Sequence, residues 1–409
     1  MSSSHIGSDR TASVPPTPAT VGPLLYALHL WTLFGLVISN AFLVLSLVAL
    51  PWLGRGVTHV LDHANRHLWV PLAFYTLFLG VSIVLSVEPH LSRPEIKEVF
   101  TLSTLPLAFA YAAERHRVRR IFDGFILVSA ATAVWGLAQL LNGYGTLEHR
   151  IQGPFSHYMT FSGILLMADL ILIAQLVCRT ESRTVWRWLA LVVLNAALIG
   201  TLTRSAWVAL LVSLVVLAFV HAPRAILALV PAVALALLLA PSPVQQRFAS
   251  IFDLRNVTNY DRLCMAKAGL RMVSERPLFG LGPETVRARY PIYRQPTAPR
   301  RTVTHLHNSF VHLAAERGLL ALGAYLWLMA GAAMLALRAY RRESSSGGVD
   351  ADLYLAVFLS LLAFNVAGIF EANWRDTELQ RVALFILSVP YLLRREPNRG
   401  DRRHETIKV

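Results

Sequence analysis

A histidine at the end of an arginine-rich stretch is the feature of this sequence best suited to chemistry. His307 follows His305 and precedes Asn308, and together they close a polar stretch, residues 241–318, that interrupts an otherwise apolar chain. A neutral imidazole accepts a proton near pH 7, and an arginine fork binds phosphate oxygens through paired hydrogen bonds. We therefore predict proton abstraction beside an anionic, phosphorylated partner. His307 is the predicted base, and Asn308 orients either this base or the acceptor.

Arginines within and before this stretch are the candidates for binding the anionic partner. Basic residues outnumber acidic ones between 241 and 318. Arg204 and Arg262 are the first candidates, because fixed guanidinium groups can stabilise a departing pyrophosphate without a metal ion. Arg287 and Arg289 are their substitutes. Nonspecific contact with lipid headgroups, or pairing with neighbouring acids, is the alternative interpretation for each arginine.

The composition places most of the chain in a membrane. Of 409 residues, 55% are hydrophobic and only 15% are charged, and the mean hydropathy is +0.50. A helix needs roughly 20 apolar residues to cross the hydrocarbon layer. We predict an all-α, polytopic membrane protein with about 12 spanning helices of this kind. The predicted spans are 23–38, 40–53, 68–87, 96–113, 121–141, 157–177, 185–200, 203–220, 225–240, 319–337, 353–370 and 379–393.

Arginine placement predicts which side each loop faces. Cytoplasmic loops collect Lys and Arg, and the clusters at 115–120 and 338–342 share one side if Met1 starts inside. Both termini are then cytoplasmic, and the polar stretch faces the periplasm from a bacterial inner membrane. The predicted division is a disordered cytoplasmic tail (1–22), nine spans (23–240), a periplasmic catalytic loop (241–318), three spans (319–393) and a basic cytoplasmic tail (394–409).

The loop contains a helical pattern. Leu263, Ala266, Leu270 and Val273 fall on one apolar stripe within residues 261–274, and arginines lie on its flank. This predicts an amphipathic helix. It either rests on the membrane surface with its arginines near headgroup phosphates, or it packs on the spans.

Several short motifs lie in a fixed order between residues 150 and 318. They are Arg150-Ile-Gln-Gly153-Pro-Phe155, Arg204-Ser-Ala-Trp207, Arg262, Pro277-Leu-Phe-Gly280-Leu-Gly282, His307-Asn-Ser-Phe310 and Glu316-Arg-Gly318. Together these motifs resemble the signature of the O-antigen ligase and polymerase superfamily. The resemblance covers Arg150 to Gly318 in motifs and the whole chain in topology.

The resemblance implies a multispanning, GT-C-like glycosyltransferase that needs no metal and no other cofactor. Such enzymes move a glycan from undecaprenyl pyrophosphate to an acceptor, which for the ligases is a sugar hydroxyl of the lipid A core. Chain size and the single dominant loop favour a ligase over a polymerase. Attack by the acceptor on the side opposite the pyrophosphate would invert the configuration of the anomeric centre. The implied partners are lipid-linked O-antigen, the lipid A core and membrane lipids, but not nucleic acid.

The candidate site residues divide into two groups. His307, Arg204 and Arg262 are the catalytic candidates. The substrate-binding candidates are Asn308, Arg287, Arg289, Glu316, Arg150 and His305. His305 is included because the sequence does not choose between the two histidines as the base. Glu316 either orients the histidine or pairs with Arg317 or Arg262.

Two other classes of function fit parts of this pattern. An O-antigen polymerase or a protein O-oligosaccharyltransferase would use the same donor with another acceptor. A non-enzymatic transporter would instead place polar groups along its spans at mid-membrane depth. Such groups are few here, and the basic loop would have no evident role in transport.

Overall fold

The computed structural model describes residues 18–51, 66–179, 184–251, 253 and 255–394, which form helices and turns but no strand. In chain order the helices are α1 (Pro18–Trp31), α2 (Leu36–Ala49), α3 (Arg66–Val84), α4 (Pro89–Ser92), α5 (Glu98–Leu102), α6 (Thr104–Tyr111), α7 (Arg115–Gln139), α8 (Tyr158–Cys178), α9 (Val185–Gly200), α10 (Arg204–His221), α11 (Ile226–Leu239), α12 (Ser242–Ala249), α13 (Val257–Glu275), α14 (Val286–Tyr293), α15 (Ser309–Ser345), α16 (Ala351–Gly368) and α17 (Thr377–Leu392). Most of the tails predicted at 1–22 and 394–409 lies outside the described residues.

The prediction of an all-α polytopic membrane protein is confirmed. Within the described residues, 6 helices are long and apolar enough to cross a membrane, namely α3, α7, α8, α10, α15 and α16. Shorter apolar helices lie at Val21–Trp31, Leu36–Ala49, Val185–Gly200 and Pro223–Leu235. The two remaining predicted spans, 96–113 and 379–393, do not form long apolar helices.

The break between the first two predicted spans was wrong. It was expected at Ser39 and Asn40, but the turn lies at residues 32–35 and Ser39 is inside α2. The Ser39 hydroxyl donates to the His29 carbonyl oxygen across the two helices at 2.8 Å. A polar residue here therefore joins two helices, because its hydrogen bond is satisfied by the partner helix.

The predicted span at 96–113 was also wrong as a single long helix. It consists of a 3₁₀ turn, Arg93–Lys97, followed by α5 and α6. Pro106 cannot donate a backbone hydrogen bond to the carbonyl of Leu102, so the ladder weakens where α5 passes into α6. The last predicted span coincides with α17, which is almost wholly buried and carries the buried Arg381.

The polar stretch 241–318 is largely helical. It contains α12, α13, α14 and the first turns of α15, which begins ten residues before the predicted span. Gly318 interrupts α15 with φ of 84°, and a Cβ there would meet the Leu278 carbonyl oxygen at 2.0 Å. The segment at 277–282 therefore lies directly against the kink, with Leu281 N–H donating to the Ala315 carbonyl oxygen at 2.9 Å. Only glycine fits this close approach.

Helix α13 leaves part of its predicted apolar stripe exposed and packs a different face against α15. Leu263 and Leu270 of the predicted stripe are 50% and 58% exposed, whereas Met265, Ala268 and Met272 are buried against α15. The helix has apolar side chains on more than one face, so hydrophobic periodicity alone did not select the face that packs.

Antiparallel neighbours bring distant segments to one end of the bundle. Helix α16 packs against α8, α10 and α15. The N-termini of α8, α10 and α15 therefore lie near the C-terminus of α16. This end of the bundle holds Arg204 at the start of α10, His307 just before α15, and Glu371 just after α16.

Candidate functional site

A cavity of about 360 Å³ lies at the end of the bundle where these segments meet. Its polar lining comes from α8, α10, α12, α13, the loop before α15 and the turn after α16. The arginines that line it are Arg150, Arg204, Arg247, Arg262 and Arg300, and with them lie His157, His305, His307, Asp261 and Glu371. We call this space the arginine cavity.

His307 is held in a fixed orientation at the wall of the arginine cavity. Its Nδ1 lies 2.9 Å from Glu371 Oε2. A carboxylate at Nδ1 favours the proton on that nitrogen, which leaves Nε2 as the lone-pair nitrogen. The next residue, Asn308, caps α15 by accepting the Val311 N–H at 2.9 Å and donates to the Ile369 carbonyl oxygen at 2.9 Å. The helix cap therefore anchors the backbone that carries His307.

Glu371 connects the base candidate to an arginine candidate. Its side chain is 6% exposed. Its Oε2 contacts His307 Nδ1, and its Oε1 accepts a hydrogen bond from Arg262 Nη2 at 2.5 Å. The Ser309 hydroxyl donates to the Glu371 carbonyl oxygen at 2.9 Å. A buried carboxylate needs such partners, and here they are the two groups with predicted chemical roles. Glu371 was not among the residues predicted from the sequence.

A sequence signal for Glu371 did exist. The polar run from Glu371 to Asp376 separates α16 from α17 on the same side as His307. The positive-inside rule gives little weight to acidic residues, so charge placement alone did not indicate Glu371.

Three of the cavity arginines have neutral partners. Arg204 donates to the Ser250 carbonyl oxygen at 2.6 Å and to Asn259 Oδ1 at 2.7 Å. Arg247 donates to the Leu202 carbonyl oxygen at 3.2 Å, and the Arg150 guanidinium lies 4.3 Å from the centre of the Tyr158 ring. By contrast, Arg262 and Arg300 each pair with a carboxylate.

The unneutralised arginines make the cavity electropositive. Burial, followed by the charges of Arg150 and Arg204, lowers the pKa of Arg247 to about 10. Arg247 remains protonated at neutral pH, and part of the shift comes from the repulsion between close cations. An anion in the cavity would relieve this repulsion.

The two histidines of the sequence motif differ in their surroundings. The rings of His305 and His307 are tilted by 55° with their centres 4.3 Å apart, and His305 Nδ1 lies 2.9 Å from the Thr304 hydroxyl. Burial, and then the neighbouring His307, lowers the pKa of His305 to about 2. His305 is therefore neutral over the working pH range. His307 has a carboxylate, Glu371, at 2.9 Å from its Nδ1, which makes it the better-supported base of the two.

Left-handed backbone geometry occurs at His307 and at two residues that hydrogen-bond to arginines. Within the described part of the chain, the non-glycine residues with left-handed φ are Leu202 at 52°, Glu284 at 61° and His307 at 48°. Leu202 accepts from Arg247, and Glu284 pairs with Arg375. Each such residue costs about 1–3 kcal/mol, and strain of this kind is common where side chains must be aimed at a ligand.

Four sequence candidates lie away from the cavity lining. Asn308 is a helix cap, Arg287 is exposed, and Arg289 forms an ion pair with Glu88 at 2.8 Å.

Glu316 is buried beside His312 at 3.3 Å and accepts the Val286 N–H. Glu371, rather than Glu316, pairs with Arg262 and orients His307.

His305, His307 and Glu371 also place one ligand atom each within 4.8 Å of one another, a spacing that could hold a metal ion. Both Glu371 oxygens are already engaged by His307 and Arg262. A metal here would have to displace a guanidinium and accept several nearby positive charges. The geometry therefore favours the hydrogen-bonded arrangement.

These features define a polytopic helical membrane protein with an electropositive, histidine-containing cavity at one end of its bundle. A family model described as O-antigen ligase matches residues 188–326, so this segment is similar to that family. The matched segment contains Arg204, Arg262 and His307. A search of curated proteins finds no match.

Proposed function

We propose that the protein is an O-antigen ligase that transfers a glycan from undecaprenyl pyrophosphate to a sugar hydroxyl of the lipid A core. The observation that carries this proposal is the meeting of Arg204, Arg262 and His307 in one cavity, with Glu371 joining the last two. These residues come from segments far apart in the chain. Their shared position supports a single chemical role.

The arginine cavity suits a pyrophosphate. Arg204, Arg247 and Arg150 have neutral partners, so their charges are available to phosphate oxygens. As the bond from the anomeric carbon to the pyrophosphate breaks, negative charge grows on the leaving oxygen. Fixed guanidinium groups stabilise that charge in the transition state.

His307 suits the attacking hydroxyl. Its Nε2 would accept the hydroxyl proton as the acceptor oxygen forms its bond to the anomeric carbon. Glu371 at Nδ1 would then stabilise the resulting imidazolium. Attack from the side opposite the pyrophosphate gives inversion, and the proton leaves to solvent after the lipid pyrophosphate departs.

We place the cavity at the periplasmic face of a bacterial inner membrane, with both termini in the cytoplasm. Arginine clusters at the other end of the bundle support this orientation, among them Arg115, Arg117 and Arg119. In this orientation, residues 241–318 form the periplasmic catalytic segment between the ninth and tenth predicted spans.

Purified protein in lipid nanodiscs, given undecaprenyl-pyrophosphate-linked glycan and lipid A core, tests the proposal. We expect a glycosylated lipid A core, detected by mass spectrometry, at the same rate before and after treatment with a chelator. Extension of the lipid-linked glycan, or transfer to a protein acceptor, with no lipid A core product would assign a polymerase or a protein O-oligosaccharyltransferase instead. A rate that a chelator abolishes and added metal restores would contradict metal independence.

A further inference from the structure

A second cavity adjoins the arginine cavity. It has a volume of about 180 Å³ and lies between the N-termini of α8 and α17 and the turn after α16. The two cavities share a wall formed by His157, Met159, His305 and Glu371. Of these two cavities, only the second is lined by Thr160, Ala372, Asn373, Arg375, Asp376 and Leu379.

The second cavity is lined by more apolar than polar surface, and its arginine is paired with a carboxylate. Arg375 donates to both Glu284 oxygens, at 2.8 and 2.6 Å. Asp376 accepts hydrogen bonds from the Thr160 hydroxyl and from the Leu379 N–H. This differs from the arginine cavity, where three guanidinium groups have neutral partners.

This difference in charge predicts different ligands. Uncompensated arginines favour an anion, whereas amide, hydroxyl and hydrogen-bonded carboxylate groups favour a neutral ligand with many hydroxyls. The volume lies below the roughly 300–1,000 Å³ typical of pockets for drug-sized ligands. It suits a single sugar ring and not a whole glycolipid headgroup.

The shared wall gives the second cavity its chemical relevance. Glu371, which lines both cavities, holds His307 Nδ1, and His305 lies 4.3 Å from His307 between ring centres. Arg204 and Arg247 line the arginine cavity but not the second cavity, so a hydroxyl projecting from the second cavity past this wall would approach His307 from a wall that these arginines do not form. That is the approach required for displacement opposite a departing pyrophosphate.

We infer that the second cavity is the acceptor subsite, and that it binds the sugar ring whose hydroxyl receives the glycan. This inference rests on the proposed transferase function. In the reaction, the acceptor oxygen bonds to the anomeric carbon, the bond to the pyrophosphate oxygen breaks, and the hydroxyl proton passes to His307. The donor phosphates stay in the arginine cavity throughout.

The variant Ala372→Leu tests the inference, because it fills the second cavity without touching the arginine cavity. Ala288→Leu is its matched control, since it makes the same substitution at an exposed position on α14. With protein in nanodiscs, Ala372→Leu should raise the KM for lipid A core about tenfold, which is about 1.4 kcal/mol of binding. The Kd for undecaprenyl pyrophosphate should stay unchanged, and Ala288→Leu should behave as wild type.

Binding of the isolated core oligosaccharide, measured by calorimetry, separates this inference from the proposed function. If wild-type protein transfers no glycan to any acceptor, the proposed function fails. If it transfers glycan and Ala372→Leu leaves both the acceptor KM and core oligosaccharide binding unchanged, the subsite is elsewhere. An equal rise in the donor Kd would also overturn the inference. If Ala372→Leu does not fold, Thr160→Val serves as the second variant, because it removes only a hydroxyl from the second cavity. We expect Thr160→Val to weaken the binding of the core oligosaccharide.

Discussion

Two histidine–glutamate pairs lie close together in this protein and differ in what surrounds them. His307 and Glu371 meet at 2.9 Å beside a cavity, next to Arg262. His312 and Glu316 lie at 3.3 Å within one turn of α15, with both side chains at 3% exposure or less. The same two residue types therefore occur once with access to a ligand and once without it.

The difference between the pairs shows that residue type does not define a site by itself. The His307–Glu371 pair joins segments far apart in the chain, and its histidine has left-handed backbone geometry. The His312–Glu316 pair follows from ordinary helical spacing, and Glu316 accepts the Val286 N–H. We assign chemistry to the first pair and structural support of the segment before α14 to the second.

The largest expected effect is at His307. His307→Ala should lower kcat for glycan transfer by about 10²- to 10⁴-fold, because the acceptor loses its base. The measurement is initial rate at saturating donor and acceptor, with size-exclusion profile and thermal unfolding as folding controls. Transfer at more than half the wild-type rate would remove His307 from the mechanism.

Arg204 should show the next largest effect. Arg204→Gln keeps a hydrogen-bonding side chain but loses the charge, so we expect kcat/KM for the lipid-linked donor to fall by about 10²- to 10³-fold. Lys267→Gln is the matched control, since it removes a positive charge from an exposed position on α13. Equal losses in both variants would mean that only the overall charge of the loop matters.

Glu371 is a positioning residue, so its removal should act through kcat. We expect Glu371→Gln to lower kcat by about 10- to 100-fold, as for other groups that orient a functional histidine. The acceptor KM should change much less, and Glu371→Asp should recover part of the rate. A loss of stability with an unchanged rate for the folded fraction would show a purely structural role.

The smallest effect on transfer is expected at His312. His312→Ala removes the partner of buried Glu316, and we expect it to lower the free energy of unfolding by about 1–3 kcal/mol. The transfer rate of the folded protein should match that of the wild type. Thermal unfolding in detergent, paired with rates normalised to folded protein, makes the comparison. A catalytic defect as large as that of His307→Ala would abolish the distinction between the two pairs.

The sequence predicted part of the site well because membrane topology restricts where span ends lie. Arg204, Arg262 and His307 were predicted to meet, and all three line the arginine cavity. Long apolar runs also located most helices to within a few residues. Both results depend on chemical features that are local in sequence, such as hydropathy and charge at span ends.

The remaining features depend on packing between distant segments. Arg289 and Glu316 are paired with Glu88 and His312, and hydropathy gives no information on such partners. The face of α13 that packs on α15 was not predicted, because that helix carries apolar residues on two faces. Glu371 was missed because its importance comes from two contacts made across the bundle.

A structure of the protein bound to undecaprenyl pyrophosphate in nanodiscs tests the central claim most directly. The account predicts that the two phosphates lie in the arginine cavity, within hydrogen-bond distance of Arg204 and Arg262, with His307 Nε2 facing the anomeric position. Phosphates bound elsewhere, with the arginine cavity empty of lipid headgroup, would contradict it.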